Sequence, residues 1–184
     1  MNTAFSEQSP ALGVDWESWF TVPDRVMRGF LHPIVSLVSV PPVLVLLERQ
    51  LRLPRLPNGP RRLVAIPLVV LGVALICWSV ISLVTQGRGT PNPDNPPKVM
   101  VEEGPYRYSR NPMVIGMFVL LLGMGLLARS LLLMLYVPML GLVTQLYLVR
   151  TEEPVLIQRF GQAYLDYQRR VPRWLRRGAE PLDG

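Results

Sequence analysis

Apolar residues in this chain come in long blocks rather than at scattered amphipathic intervals. Four blocks stand out, at residues 30–47, 63–84, 112–128 and 131–149. Blocks of this kind predict helices that bury in lipid on most sides, not the one-sided helices of a soluble core. The first is interrupted by Pro33 and Pro41-Pro42. Each proline removes a backbone donor that lipid cannot replace, so this block is expected to be the least regular. The third is short for a hydrocarbon core of ~30 Å at 1.5 Å per residue. Only Arg129-Ser130 separates the last two, which predicts a tight antiparallel helical hairpin.

The remaining pattern changes in kind. Residues 48–62 are basic and proline-rich, and residues 87–103 carry Pro91, Pro93, Pro96 and Pro97, which excludes a regular helix there. After Arg150, Leu156, Phe160, Tyr164, Tyr167 and Val171 recur at helical spacing, with Arg159, Gln162, Asp166, Arg169 and Arg170 opposite. This predicts a carboxyl-terminal amphipathic helix along the membrane surface. Residues 1–29 hold acids and no continuous apolar core, so no cleavable signal peptide is expected. They read as an amino-terminal interfacial segment, with Asp15 capping a short helix that bears Trp16 and Trp19. The expected fold is an all-α polytopic membrane bundle of about four transmembrane helices over residues 30–184, its motif-bearing core at 85–175.

Composition agrees. The chain has 184 residues, is 49% hydrophobic and only 17% charged. Its net charge is +6, and Lys98 is its sole lysine. The arginines border apolar blocks instead of forming one basic domain, which argues against nucleic-acid binding. They fit topology-setting flanks that touch anionic lipid. With four spans, the amino terminus, the 85–111 loop and the carboxyl tail share one side and hold most of the basic residues, which places that side in the cytoplasm. Arg49, Arg52, Arg55, Arg61 and Arg62 pull the other way. Cys77 is the single cysteine and His32 the single histidine, so neither a disulfide nor a metal site nor a serine–histidine triad has support.

Two polar segments flank the hairpin and carry the chemistry. The first is Gly104-Pro105-Tyr106-Arg107-Tyr108-Ser109-Arg110-Asn111-Pro112. The second begins at Glu152-Glu153-Pro154 and runs to Val171-Pro172-Arg173-Trp174. A helical hairpin brings both to the same end. Adjacent carboxylates can hold ribose hydroxyls, attract a cation or act as a general base. Pro154 is expected to turn the chain into the amphipathic helix. Arg110, stiffened by Asn111-Pro112, suits bidentate carboxylate binding. Gly104-Pro105 makes a fixed turn that aims Tyr106. Gly87-Arg88-Gly89 permits close backbone approach to a ligand, but with no preceding strand it is not a dinucleotide fingerprint.

Residues 87–174 resemble the isoprenylcysteine carboxyl methyltransferase and phospholipid methyltransferase family of integral membrane enzymes. The matching residues are Gly87-Arg88-Gly89-Thr90-Pro91, Gly104-Pro105-Tyr106-Arg107, Arg110-Asn111-Pro112 with Gly116, Glu152-Glu153-Pro154 with Leu156, Phe160-Gly161, Tyr164, Tyr167 and Val171-Pro172-Arg173. The resemblance implies S-adenosylmethionine as methyl donor, with S-adenosylhomocysteine as product. It implies a site at the cytosolic face of a membrane and a lipophilic acceptor: an isoprenylcysteine carboxylate, a lipid amine or a thiol; the excess of arginine over lysine points to a bacterial inner membrane. By that resemblance Gly87, Gly89, Arg110, Pro112, Glu152 and Glu153 bind the donor, and Gly104, Tyr106 and Asn111, beside them in the motif, are expected to join them. Glu152, Glu153 and Arg110 serve catalysis, and Arg173, Tyr164 and Tyr167 meet the acceptor. Two departures stand out: many members have histidine where this chain has Asn111, and tyrosine where it has Val114. The alternatives are a nicotinamide-dependent reductase of a sterol or polyprenyl lipid, which would share the acidic pair and the tyrosine pattern, and a membrane scaffold without activity.

Overall fold

The computed structural model describes residues 23–56, 59, 62–88 and 97–175. The apolar blocks within them are helices. In chain order these are α1 (Pro23–Gln50), α2 (Arg62–Thr85), α3 (Pro112–Ala128), α4 (Leu131–Tyr147), α5 (Glu153–Phe160) and α6 (Gln162–Arg170). A 3₁₀ turn covers Gly104–Arg107, and a π-helical turn, Leu148–Glu152, joins α4 to α5. No strand occurs among the described residues.

Among the described residues two helices are long and apolar enough to cross a membrane: Arg62–Thr85 and the continuous Leu131–Phe160. α3 is apolar but has only 17 residues. The outer surface is apolar as well. Val70, Leu71 and Ile81 on α2, and Leu135, Met139, Leu142 and Val143 on α4, are all exposed. A patch of that extent is a liability in water and the expected surface against lipid tails. The protein is membrane-associated.

Between lipid-embedded helices, close van der Waals packing replaces the hydrophobic drive, and small residues permit it. α2 buries Ala65, Gly72 and Ser79, each two turns from the next, and α3 buries Gly116 and Gly123 at the same interval. A Cβ on Gly72 would lie 2.6 Å from the Leu120 backbone nitrogen, and one on Gly123 would lie 2.8 Å from that of Val69. The α2–α3 seam is the most extensive contact between helices. Ser79 satisfies its hydroxyl by donating to the Leu75 carbonyl at 2.7 Å. A second core of Leu121, Leu133 and Val137, with Leu37, Leu44 and Phe118 against it, ties α1 to α3 and α4.

The α3–α4 hairpin closes through Arg129 in the left-handed region (φ 60°) and Ser130, whose hydroxyl caps α4 by accepting from Leu133 N at 3.1 Å. Buried Glu48, near the end of α1, accepts from Leu131 N at 2.8 Å and places its carboxylate at the α4 amino terminus, where the helix dipole favours it. Arg129 Nε donates to the Leu56 carbonyl at 2.9 Å. One end of the bundle is thereby fixed, leaving the other for the two polar segments.

Several expectations are revised. α1 starts at Pro23, inside the segment expected to be interfacial, and runs unbroken past Pro33 and Pro41-Pro42. Pro41 is fully buried, so packing surrounds the point where donors are missing. Pro154 makes no turn, because in the first turn of α5 its missing N–H costs nothing. The amphipathic stretch is two short helices instead of one, broken at Gly161, whose φ of 57° and ψ of −132° only glycine adopts readily. The expected interfacial helix around Asp15, Trp16 and Trp19 lies outside the described residues.

Candidate active site

The chain leaves α2 through Gly87, whose carbonyl accepts from Lys98 N at 2.8 Å and Val99 N at 3.2 Å. A Cβ there would lie 2.6 Å from the Leu83 carbonyl oxygen. Gly87 therefore fastens segment 97–101 to the end of α2. Gly104, at φ 61°, starts the 3₁₀ turn and seats it on α2 beside Ser82 and Trp78. Both glycines support the site from outside the cavity wall. Gly89 lies outside the described residues.

The turn delivers Arg110 to the start of α3, and the π-helical turn delivers the glutamate pair. π-helical turns insert a residue and re-aim side chains, and they are frequent at functional sites. Here Glu153 meets the arginines and Glu152 faces a cavity. Arg110 Nη1 donates to Glu153 Oε1 at 2.7 Å. Arg173 donates to the same carboxylate twice, from Nε to Oε1 at 2.7 Å and from Nη2 to Oε2 at 2.8 Å. The side chains of Arg110 and Glu153 are only 11% and 13% exposed. Charges this buried persist only when paired and hydrogen-bonded, as these are. The bonds to Glu153 hold the Arg173 guanidinium pKa above its ordinary value. Arg110 Nε is buried without a partner.

The cavity has a volume of about 170 Å³. Its polar lining is Tyr106, Arg110, Asn111, Glu152, Tyr164 and Tyr167, and its apolar lining includes Leu83, Met100, Pro112, Val114, Leu156 and Phe160. Among the described residues Glu152 has no hydrogen bond or ion pair, so its carboxylate is available to a ligand. The tyrosines are not available as bases. Burial pushes the Tyr106 and Tyr167 phenols well above their ordinary value. It raises Tyr164 too, against the opposing effect of nearby Arg110. All three stay protonated. Tyr167 donates to the Tyr106 carbonyl at 2.7 Å, and with Tyr164, Val171 and Met100 it forms the hydrophobic cluster that roofs the cavity.

The sequence model of the phospholipid methyltransferase family matches residues 60–163. This chain belongs to that family. No curated protein and no solved structure matches it. In this phospholipid methyltransferase family member the matched span runs from α2 through α5 and includes Arg110, Glu152 and Glu153. It ends at Ala163, so Tyr164, Tyr167 and Arg173 join the site through the contacts described above. Membership points to a methyltransferase acting on a membrane substrate, and an apolar-walled cavity at the end of lipid-facing helices suits one.

Of the residues read from sequence, Tyr106, Arg110, Asn111, Pro112, Glu152, Tyr164 and Tyr167 line one cavity, and Glu153 and Arg173 form the ion cluster beside it. Sequence reading missed Ser109, Met100 and the Arg170–Glu102 pair at 2.6 Å. Ser109 sat inside the motif, a polar residue between two arginines, and its complete burial was the missing signal. Val114, where the resemblance led to an expectation of tyrosine, lines the cavity with an apolar side chain.

Proposed function

We propose that this protein transfers a methyl group from S-adenosylmethionine to a membrane-soluble acceptor at the cytosolic face of a bacterial inner membrane. The observation that carries this reading is a carboxylate, Glu152, with no partner among the described residues, and an unpartnered donor, Arg110 Nε, on one largely apolar cavity. Family membership supports the reaction class, since such enzymes generally use this donor.

The residues fit the donor's polar groups. Arg110 offers its free N–H to a carboxylate, and Glu152 suits an ammonium or a pair of ribose hydroxyls. The donor, when bound, supplies a methyl group on a cationic sulfur, so transfer forms a bond from carbon to the acceptor heteroatom and breaks the carbon–sulfur bond. The chain's own contribution is alignment and exclusion of water by the apolar wall. An amine or thiol acceptor also releases a proton. Glu153 is held by two arginines and the tyrosines are protonated, so Glu152 is the base that can take it. A carboxylate acceptor needs none. Four membrane crossings, with the site and both termini in the cytoplasm, complete the reading.

The test is transfer of label from methyl-tritiated S-adenosylmethionine into the organic-soluble fraction of membranes carrying the protein. Wild type is expected to label a lipid, and Glu152→Gln to lose at least ~90% of that signal. Equal labelling with and without the protein would overturn the proposal.

A further inference from the structure

Asn111 stands at the amino-terminal cap of α3, a position where asparagine ordinarily turns its side-chain oxygen onto the helix's own free N–H groups. It makes no such bond here. Its amide instead donates across the site to the Arg173 carbonyl at 3.3 Å. The same carbonyl accepts from Ser109 Oγ at 2.9 Å, and Ser109 Oγ in turn accepts from Asn111 N at 3.0 Å. One residue earlier, Arg110 N donates to the Pro172 carbonyl at 3.0 Å. Three consecutive residues thus grip two consecutive carbonyls. Val171 N closes α6 on the Tyr167 carbonyl at 2.9 Å and Trp174 Nε1 donates to Gln145 Oε1 at 2.9 Å, but between them Pro172 and Arg173 lie outside any helix. The gripped segment carries the guanidinium that binds Glu153 through both oxygens.

We infer that Ser109 and Asn111 are positioning residues: they act on the donor site through Arg173, by fixing the backbone that presents it, and not by touching the ligand. This rests on the proposed donor site. The physical consequence lies in charge pairing. With Arg173 in place, two guanidinium groups share the Glu153 carboxylate. With Arg173 displaced, Arg110 is the partner left to Glu153, which competes with a ligand carboxylate for that guanidinium. The inference also accounts for the departure at position 111. The task there is donation of one N–H to a carbonyl, which asparagine and histidine both perform and aspartate does not.

The test has two arms on detergent-purified full-length protein. The first needs no ligand: the rate of trypsin cleavage after Arg173, resolved by mass. Ser109→Ala and Asn111→Asp are expected to raise it roughly three- to tenfold, as loss of one or two hydrogen bonds implies, and Asn111→His to leave it near the wild-type rate. Unfolding midpoints are recorded alongside. Cleavage rates unchanged in folded Ser109→Ala and Asn111→Asp would overturn the inference. The second arm is S-adenosylhomocysteine affinity in a double-mutant cycle of Asn111→Ala with Arg173→Ala. Positioning predicts that Asn111→Ala weakens binding several-fold in the wild type and adds nothing once Arg173 is gone. Additive losses would mean that Asn111 meets the ligand directly, and would overturn the inference. Wild-type protein that binds no S-adenosylhomocysteine but responds in the protease arm would count against the donor site alone.

Discussion

Glu152 and Glu153 are sequence neighbours with opposite environments. Two guanidinium groups hold Glu153, while Glu152 faces the cavity without a partner among the described residues. Their substitutions should therefore separate stability from binding. Glu153→Gln leaves the largely buried Arg110 and the half-buried Arg173 without their carboxylate and should destabilise the protein by about 3 kcal/mol, measured by denaturant titration in detergent. Glu152→Gln should leave that midpoint within about 0.5 kcal/mol and weaken S-adenosylhomocysteine binding at least ~10-fold. No sequence rule distinguishes the two glutamates, because the π-helical turn that aims them depends on packing. The tyrosines give a second expectation. A raised phenol pKa means the proton stays on as pH rises, so between about pH 7 and 10 no phenolate forms at Tyr106 or Tyr167. Tyr106→Phe is expected to leave the shape of the pH–rate profile unchanged across that range, whatever its effect on the rate. An alkaline limb lost in the variant would show that Tyr106 titrates during turnover.

At the level of elements, α3 is legible to the residue: Pro112 starts it, and Arg129-Ser130 ends it before the next apolar block. The α2–α3 seam is less so, since glycines in a membrane block can serve a bend, a ligand or a close contact. The structure selects close contact for Gly72, Gly116 and Gly123. Gly116→Ala and Gly72→Ala should each cost about 1–3 kcal/mol by overpacking, read as a lowered denaturant midpoint. Gly141, whose added Cβ would meet only the Phe118 ring edge at 3.9 Å, should tolerate alanine with little change. The break at Gly161 was hidden because the apolar positions Leu156, Phe160, Tyr164 and Tyr167 keep helical spacing across it. Periodicity reports which residues face inward, and here both helices turn those residues to the same cavity. The continuity of α1 through its prolines was equally out of reach, since burial of Pro41 depends on packing partners far along the chain.

For the whole molecule, one end of the bundle is locked by Glu48, Arg129 and Ser130, and the other gathers residues from both sides of the hairpin. Arg110 and Glu153 are 43 positions apart in sequence and share a 2.7 Å bond. That juxtaposition was readable from two polar segments flanking two apolar blocks. The participation of Arg173 in the ion cluster was not, because segment 171–174 has no pattern that predicts where it docks. The proposed orientation makes its own prediction. In a Cys77→Ser background, Tyr108→Cys should react with a membrane-impermeant thiol reagent only after the inner membrane is opened. Ser130 is buried, so the opposite side is better probed at exposed Leu131 by Leu131→Cys, which should react from outside in intact cells. The reverse pattern would invert the topology. The central claim is that this cavity is a methyl-donor site. Its most direct test is calorimetric titration of the detergent-purified protein with S-adenosylhomocysteine, with NADPH in parallel and Glu152→Ala/Glu153→Ala as control. Saturable binding of S-adenosylhomocysteine, lost in the control and absent for NADPH, is the expected result. Folded protein that binds NADPH alone, or neither compound, would contradict it.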